Sequence, residues 1–147
     1  MNREQDYLSD LALTTFRLNG QFLELAENLS RPAGLTASQW QVLGAVLRTP
    51  RTQADIARQM GITRQSVSRT ASQLLAKGLL ETIPNPGHKS APLLSPTKDG
   101  FDSVRRIDPQ HAEFAKKLLA HVGDLELRNL VENLKDLTRV MDEMSEA

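Results

Sequence analysis

The chain has 147 residues, 39% apolar and 24% charged, and its 18 Lys plus Arg balance 18 Asp plus Glu. That composition fits one folded domain and excludes a long disordered or fibrous chain. The absence of cysteine excludes disulfides, thiolate nucleophiles, Cys-held zinc and thiol redox sensing, and no apolar run nears the roughly 18 residues needed to cross a bilayer, so a cytoplasmic protein with no membrane partner is expected.

Leu8, Leu11, Thr15, Leu18, Phe22, Leu25 and Leu29 recur in steps of three and four, which predicts one long helix with a single apolar stripe. Shorter helices follow around Thr36 to Arg48, Gln53 to Met60 and Arg64 to Lys77. Gly78 suits a left-handed stop, and Leu79 to Ile83 then reads as a strand. Residues 84–92 are turn-formers before an apolar return at Leu93 and Leu94, which predicts a two-stranded ribbon. Thr97 is the expected cap of the next helix, with a break at Asp108-Pro109, and Asp124 is the expected cap of the last. In that last helix Leu127, Leu130, Leu134, Leu137, Met141 and Met144 repeat the rhythm of the first.

The fold expected is mainly α, with three short helices and a small two-stranded β-hairpin between long terminal helices. It is read as one domain over residues 1–147, with dimerisation helices at 5–30 and 97–145 flanking a lobe at 35–96. Two helical stripes expose more apolar surface than so small a lobe can cover, so a homodimer is expected. Its interface would draw on Leu8, Leu11, Leu18, Phe22, Leu25, Leu130, Leu134, Leu137 and Met141.

Charge is unevenly spread. From Arg48 to Lys98 there are eight basic and two acidic residues, a net of +6 that the flanks cancel. Within that stretch Thr52 and Asp55 form a helix-starting pair, Ala57 is small where two helices cross, and Gly61 fits a tight turn. Ile62, Val67 and Leu74 are expected to fill the angle between the helices. With Val67, Ala71, Leu74 and Leu75 turned inward, Arg64, Gln65, Ser68, Arg69 and Ser72 form an outward face without an acid, with Thr63 as cap and Ser66 beside it. Arg can hydrogen-bond guanine at two points and Gln adenine, and a helix N-terminus favours a phosphate. Base contacts are therefore expected from Arg64, Gln65, Ser68 and Arg69, and backbone contacts from Arg51, Thr63, Ser66, Ser72 and Lys89.

These features resemble the MarR (multiple antibiotic resistance regulator) family of winged helix-turn-helix transcription factors. Leu35 to Leu43 is similar to the family's second-helix opening, Gln53 to Ile62 to the helix before the turn, and Thr63 to Leu80 to the recognition helix with its Gly-Leu-Leu exit. Thr97-Lys98-Asp99-Gly100 is similar to the Thr-x-x-Gly that follows the wing. The resemblance implies a homodimeric regulator, a repressor, on pseudo-palindromic double-stranded DNA. It also implies release by a small aromatic or anionic effector, with Arg17 and Trp40 as candidates to line its cleft. The wing departs from the pattern: where the family carries Asp and Arg at the tip, this chain has His88, Lys89 and Ser90, and Thr82 and Ile83 replace basic residues before it. Lys89 lacks the guanidinium fork, and His88 would add positive charge when protonated.

Catalysis is not expected. His88, His111 and His121 lack metal-ligand spacing, and neither a glycine-rich phosphate loop nor a nucleophile elbow is present, so no metal and no cofactor is assigned. The alternative use of the fold is a helical sensor or protein-interaction module with weak or no DNA binding, for which the arginine-poor wing speaks.

Overall fold

A computed structural model describes residues 2–88 and 90–146. The chain divides into two compact units, Met1–Asp108 and Pro109–Ala147. The first unit holds α1 (Arg3–Ser30), α2 (Ala37–Val46), α3 (Gln53–Met60), α4 (Arg64–Ala76), β1 (Leu80–Ile83), β2 (Leu93–Pro96) and α5 (Lys98–Arg105).

Threonine starts four of these helices by one local device. The Oγ1 atoms of Thr36, Thr52, Thr63 and Thr97 each accept the amide of the residue three further on, Gln39, Asp55, Ser66 and Gly100, all at 3.1 Å. Each bond satisfies an amide that the helix itself leaves open, a stabilisation of about 1 kcal/mol. Gly61 ends α3 with φ +67, and the amide of Ile62 returns to the Ala57 carbonyl at 3.1 Å. That closure fixes the corner between α3 and α4.

The core lies where α2, α3, α4, the ribbon and α5 meet. Val42, Leu43 and Val46 pack there with Ile56, Val67, Ala71, Leu74, Leu80, Leu94, Val104 and Ile107. The ribbon is antiparallel, with Leu80 opposite Pro96 and Ile83 opposite Leu93. Leu94 turns its amide and carbonyl to Arg51, at 2.7 and 3.2 Å, so Arg51 adds a one-residue bridge to the free edge of β2. Thr97 locks the ribbon's exit: its Oγ1 donates to the Gly78 carbonyl at 2.7 Å while capping α5.

Two inward placements expected from the sequence are corrected. Ile62 is 41% exposed, because the left-handed turn at Gly61 swings it outward, and Met60 packs against the core instead. Leu75 is 38% exposed, and the fourth inward position of α4 belongs to Thr70, one turn past Ser66. The true inward stripe is Val67, Thr70, Ala71 and Leu74.

The expected break falls at residues 106–107, and α6 (Asp108–Val122) begins with Pro109 in its first turn, where a missing amide costs no hydrogen bond. Gly123, φ +99, separates α6 from α7 (Asp124–Glu146). Asp124 is the first residue of α7 rather than its cap. Its carboxylate reaches forward to Arg128 at 2.9 Å, and the Gly123 carbonyl accepts the Leu127 amide. Neither α6 nor α7 has a buried residue, and α1 buries only Ala26 and Ser30. No helix among the described residues is long and apolar enough to cross a membrane.

Candidate nucleic-acid interface

The first unit presents α4 with its inner stripe fixed in the core, which determines what the rest of the helix can offer. At about 100° per residue, the side opposite that stripe belongs to Gln65, Arg69 and Ser72, all exposed. Arg64 and half-buried Ser68 lie on one flank with Leu75, and Ser66 and Gln73 lie on the other. The five polar residues read from the sequence as an outward face are thus split between a crest and a flank.

Among the described residues no ion pair neutralises this surface. α4 contains no acidic residue, and Arg64 and Arg69 enter none of the ion pairs among the described residues. Arg58, one helix earlier, is instead paired with Asp55 at 3.3 Å. Thr63 combines two functions at the start of α4: its Oγ1 accepts the Ser66 amide and donates to the Ser66 hydroxyl at 3.0 Å. The positive end of the α4 dipole therefore lies at Arg64, the first residue of the helix, with Arg69 further along it, an arrangement that attracts phosphate.

Arg64 borders a cleft of about 260 Å³ between the start of α3, α4 and the ribbon loop, lined also by Thr52, Gln53, Thr82, Ser90 and Pro92. Three elements converge there on one cation. Across the cleft, the loop is organised by Asn85, whose Oδ1 accepts the Gly87 amide at 3.2 Å and whose Nδ2 donates to the Ala91 carbonyl at 3.0 Å. His88 is exposed, with its Nδ1 3.0 Å from the Ser90 hydroxyl. Lys89 lies outside the described residues. Asn85 escaped the sequence reading because an Asn among turn-formers marks a loop without revealing which carbonyl it will hold.

The remaining expected site residues are scattered. Arg51 is half-buried and its Nε donates to the Ala45 carbonyl at 2.9 Å, so part of its guanidinium is already engaged in holding the ribbon to α2. Trp40 packs half-buried against the lobe core, and Arg17 is exposed on α1. Of the expected interface residues, Leu8, Leu11, Phe22, Leu130, Leu134 and Met141 are exposed, and Leu18, Leu25 and Leu137 are half-buried.

Comparison with known proteins agrees with this geometry. The model of the MarR family matches residues 33–89, the span from the end of α1 through the ribbon loop. The chain is 36% identical over 102 residues to the uncharacterized protein Rv2011c of Mycobacterium tuberculosis, covering 69% of this chain and 71% of that one. Among solved structures, a mutant MarR from E. coli complexed with operator DNA superposes with a TM-score of 0.76 at 21% identity, covering 90% of this chain and 96% of that one. The MarR family regulator NMB1585 of Neisseria meningitidis gives 0.75 at 24% identity, covering 98% and 96%. With its winged helix-turn-helix lobe, its two-stranded wing and this sequence kinship, the chain belongs to the MarR family of transcription regulators.

Proposed function

We propose that this protein is a sequence-specific double-stranded-DNA-binding repressor that acts as a homodimer. The observation that carries the reading is the acid-free outer side of α4, with Arg64 at its capped N-terminus and Arg69 at mid-helix, neither in an ion pair among the described residues. An α-helix of this kind fits the major groove of B-form DNA. Gln65 and Arg69, on the crest, read base edges; Ser68 and Ser72 fill the approach beside them. Arg64 grips a phosphate where the ribbon loop and the start of α3 converge, with Thr63 and Ser66 adding backbone contacts. The wing, through His88 and Lys89, contributes backbone contacts of low geometric definition.

Dimerisation follows from the terminal helices. Seven large apolar side chains of α1 and seven of α7 are exposed in the single chain, Phe16 and Met144 by 70% and 69%. A second copy covers them, and two-fold symmetry sets the recognition helices about one DNA turn apart, near 34 Å, on a pseudo-palindrome. The E. coli relative's complex with operator DNA supports this use of the fold. Release by a small aromatic or anionic effector is the regulatory part of the proposal, with Arg17 and Trp40 as the residues to vary first.

Selection of bound duplexes from a random pool tests the function. The expected result is a two-fold-symmetric motif with half-sites one turn apart. Recovery of no enriched sequence would overturn the proposal and favour the sensor or protein-interaction module.

A further inference from the structure

Gln39, on the first turn of α2, is only 4% exposed although its side chain is polar. Its carboxamide joins two helices. Oε1 accepts the Thr36 amide at 3.1 Å and the Lys77 ammonium at 3.0 Å, while Nε2 donates to Oε1 of Gln73 at 3.1 Å. The orientation of the amide is chemically determined, because Lys77 and the Thr36 amide can only donate and so must both meet oxygen. Lys77 also donates to the Gly34 carbonyl at 3.2 Å. Gln73, in the last turn of α4, and Lys77, its C-cap, lie one turn apart, towards the C-terminal end from Gln65 and Arg69. The same first turn of α2 is held from the other side by α1, whose Glu27 Oε1 accepts the Ala37 amide at 2.9 Å.

The apolar packing of Val67, Ala71 and Leu74 fixes which side of α4 is buried, but apolar contacts are non-directional and tolerate a change of tilt. Hydrogen bonds at one end of the helix are directional and oppose it. We propose that Gln39 is a positioning residue that sets the tilt of the recognition helix on α2 and, through the α2 first turn, ties that tilt to α1. It thereby governs the spacing between half-sites that the dimer accepts, without touching DNA. This rests on the DNA-binding reading above.

The probe is the duplex that the wild type selects from a random pool, alongside copies whose spacer is one base pair longer or shorter. The readout is the affinity ratio between selected and altered spacing at constant salt. In Gln39→Met that ratio falls about tenfold, the equivalent of one charge-assisted hydrogen bond. Gln39→Glu keeps it: a carboxylate still accepts from Lys77 and Thr36, and Gln73 can turn its amide to donate. Lys77→Met, at an exposed position, loses the ratio as Gln39→Met does and carries the test if Gln39→Met fails to fold. An unchanged ratio in Gln39→Met and Lys77→Met, or an equal loss in Gln39→Glu, overturns the proposal. Amide exchange over residues 70–77 in the DNA-free protein reads the tether alone, accelerating in Gln39→Met and Lys77→Met only; no acceleration refutes it. A wild type that selects no duplex overturns the DNA-binding reading and with it the spacing role, while exchange still decides whether the tether exists.

Discussion

Arg69 and Arg64 are five residues apart on one helix, yet the lobe places them differently: Arg69 stands on the crest, and Arg64 borders the cleft beside the ribbon loop. Arg69→Ala is expected to weaken binding to the selected duplex by about 1–3 kcal/mol and to relax the preference at one base position. Competition titrations against single-base variants check this. Gly100 shows a different constraint. A Cβ there would collide with the Leu79 carbonyl oxygen and crowd Leu43, whereas at Gly61 nothing lies within 4 Å and only the positive φ resists a side chain. Gly100→Ala should therefore destabilise the lobe by about 1–3 kcal/mol through overpacking, and Gly61→Ala by about 1 kcal/mol through backbone strain, as read from denaturant midpoints. Local residues such as Thr52, Thr63, Thr97 and Gly61 were legible because their partners lie within a few positions along the chain. Ile62 and Leu75 were misread, since periodicity ranks faces without knowing how a turn swings its neighbours. The tether made by Gln39 was not legible, because Gln73 and Lys77 are 34 and 38 residues away from it.

At the scale of elements, the ribbon depends on more than its two short strands. Arg51 bridges the outer edge of β2 through its backbone and ties the same edge to α2 through the bond from its Nε to Ala45. The sequence marked Arg51 as a cation expected to contact the DNA backbone, but a one-residue bridge has no alternation pattern to betray it. Its structural and DNA-binding roles separate experimentally. Arg51→Ala should lower thermal stability, with loss of about 1 kcal/mol for the neutral-acceptor hydrogen bond. If the rest of its guanidinium also meets a phosphate, the salt slope of duplex binding becomes shallower by about 1. An unchanged slope together with a lower melting temperature assigns it to the scaffold alone. Helix boundaries were otherwise readable to within a residue or two, since threonine caps and glycine stops are chemical signals carried by single positions.

The whole molecule has two properties that the composition conceals, a cationic lobe inside a neutral chain and terminal helices with large apolar side chains exposed in the single chain. Phe22 is 53% exposed in the single chain, so an aspartate there costs the monomer fold little. Phe22→Asp should shift sedimentation from dimer to monomer. Duplex affinity should fall about a hundredfold or more, because the second recognition helix no longer benefits from the first. The stripes themselves were plain in the sequence; how much of each stays exposed in the single chain is a matter of burial that no period can decide. The most direct measurement is the salt dependence of wild-type binding to its selected duplex. With Arg64 and the wing's Lys89 from each of two lobes neutralising phosphates, the logarithm of the association constant should fall against the logarithm of salt with a slope of about −3.5. A slope near zero would contradict the account.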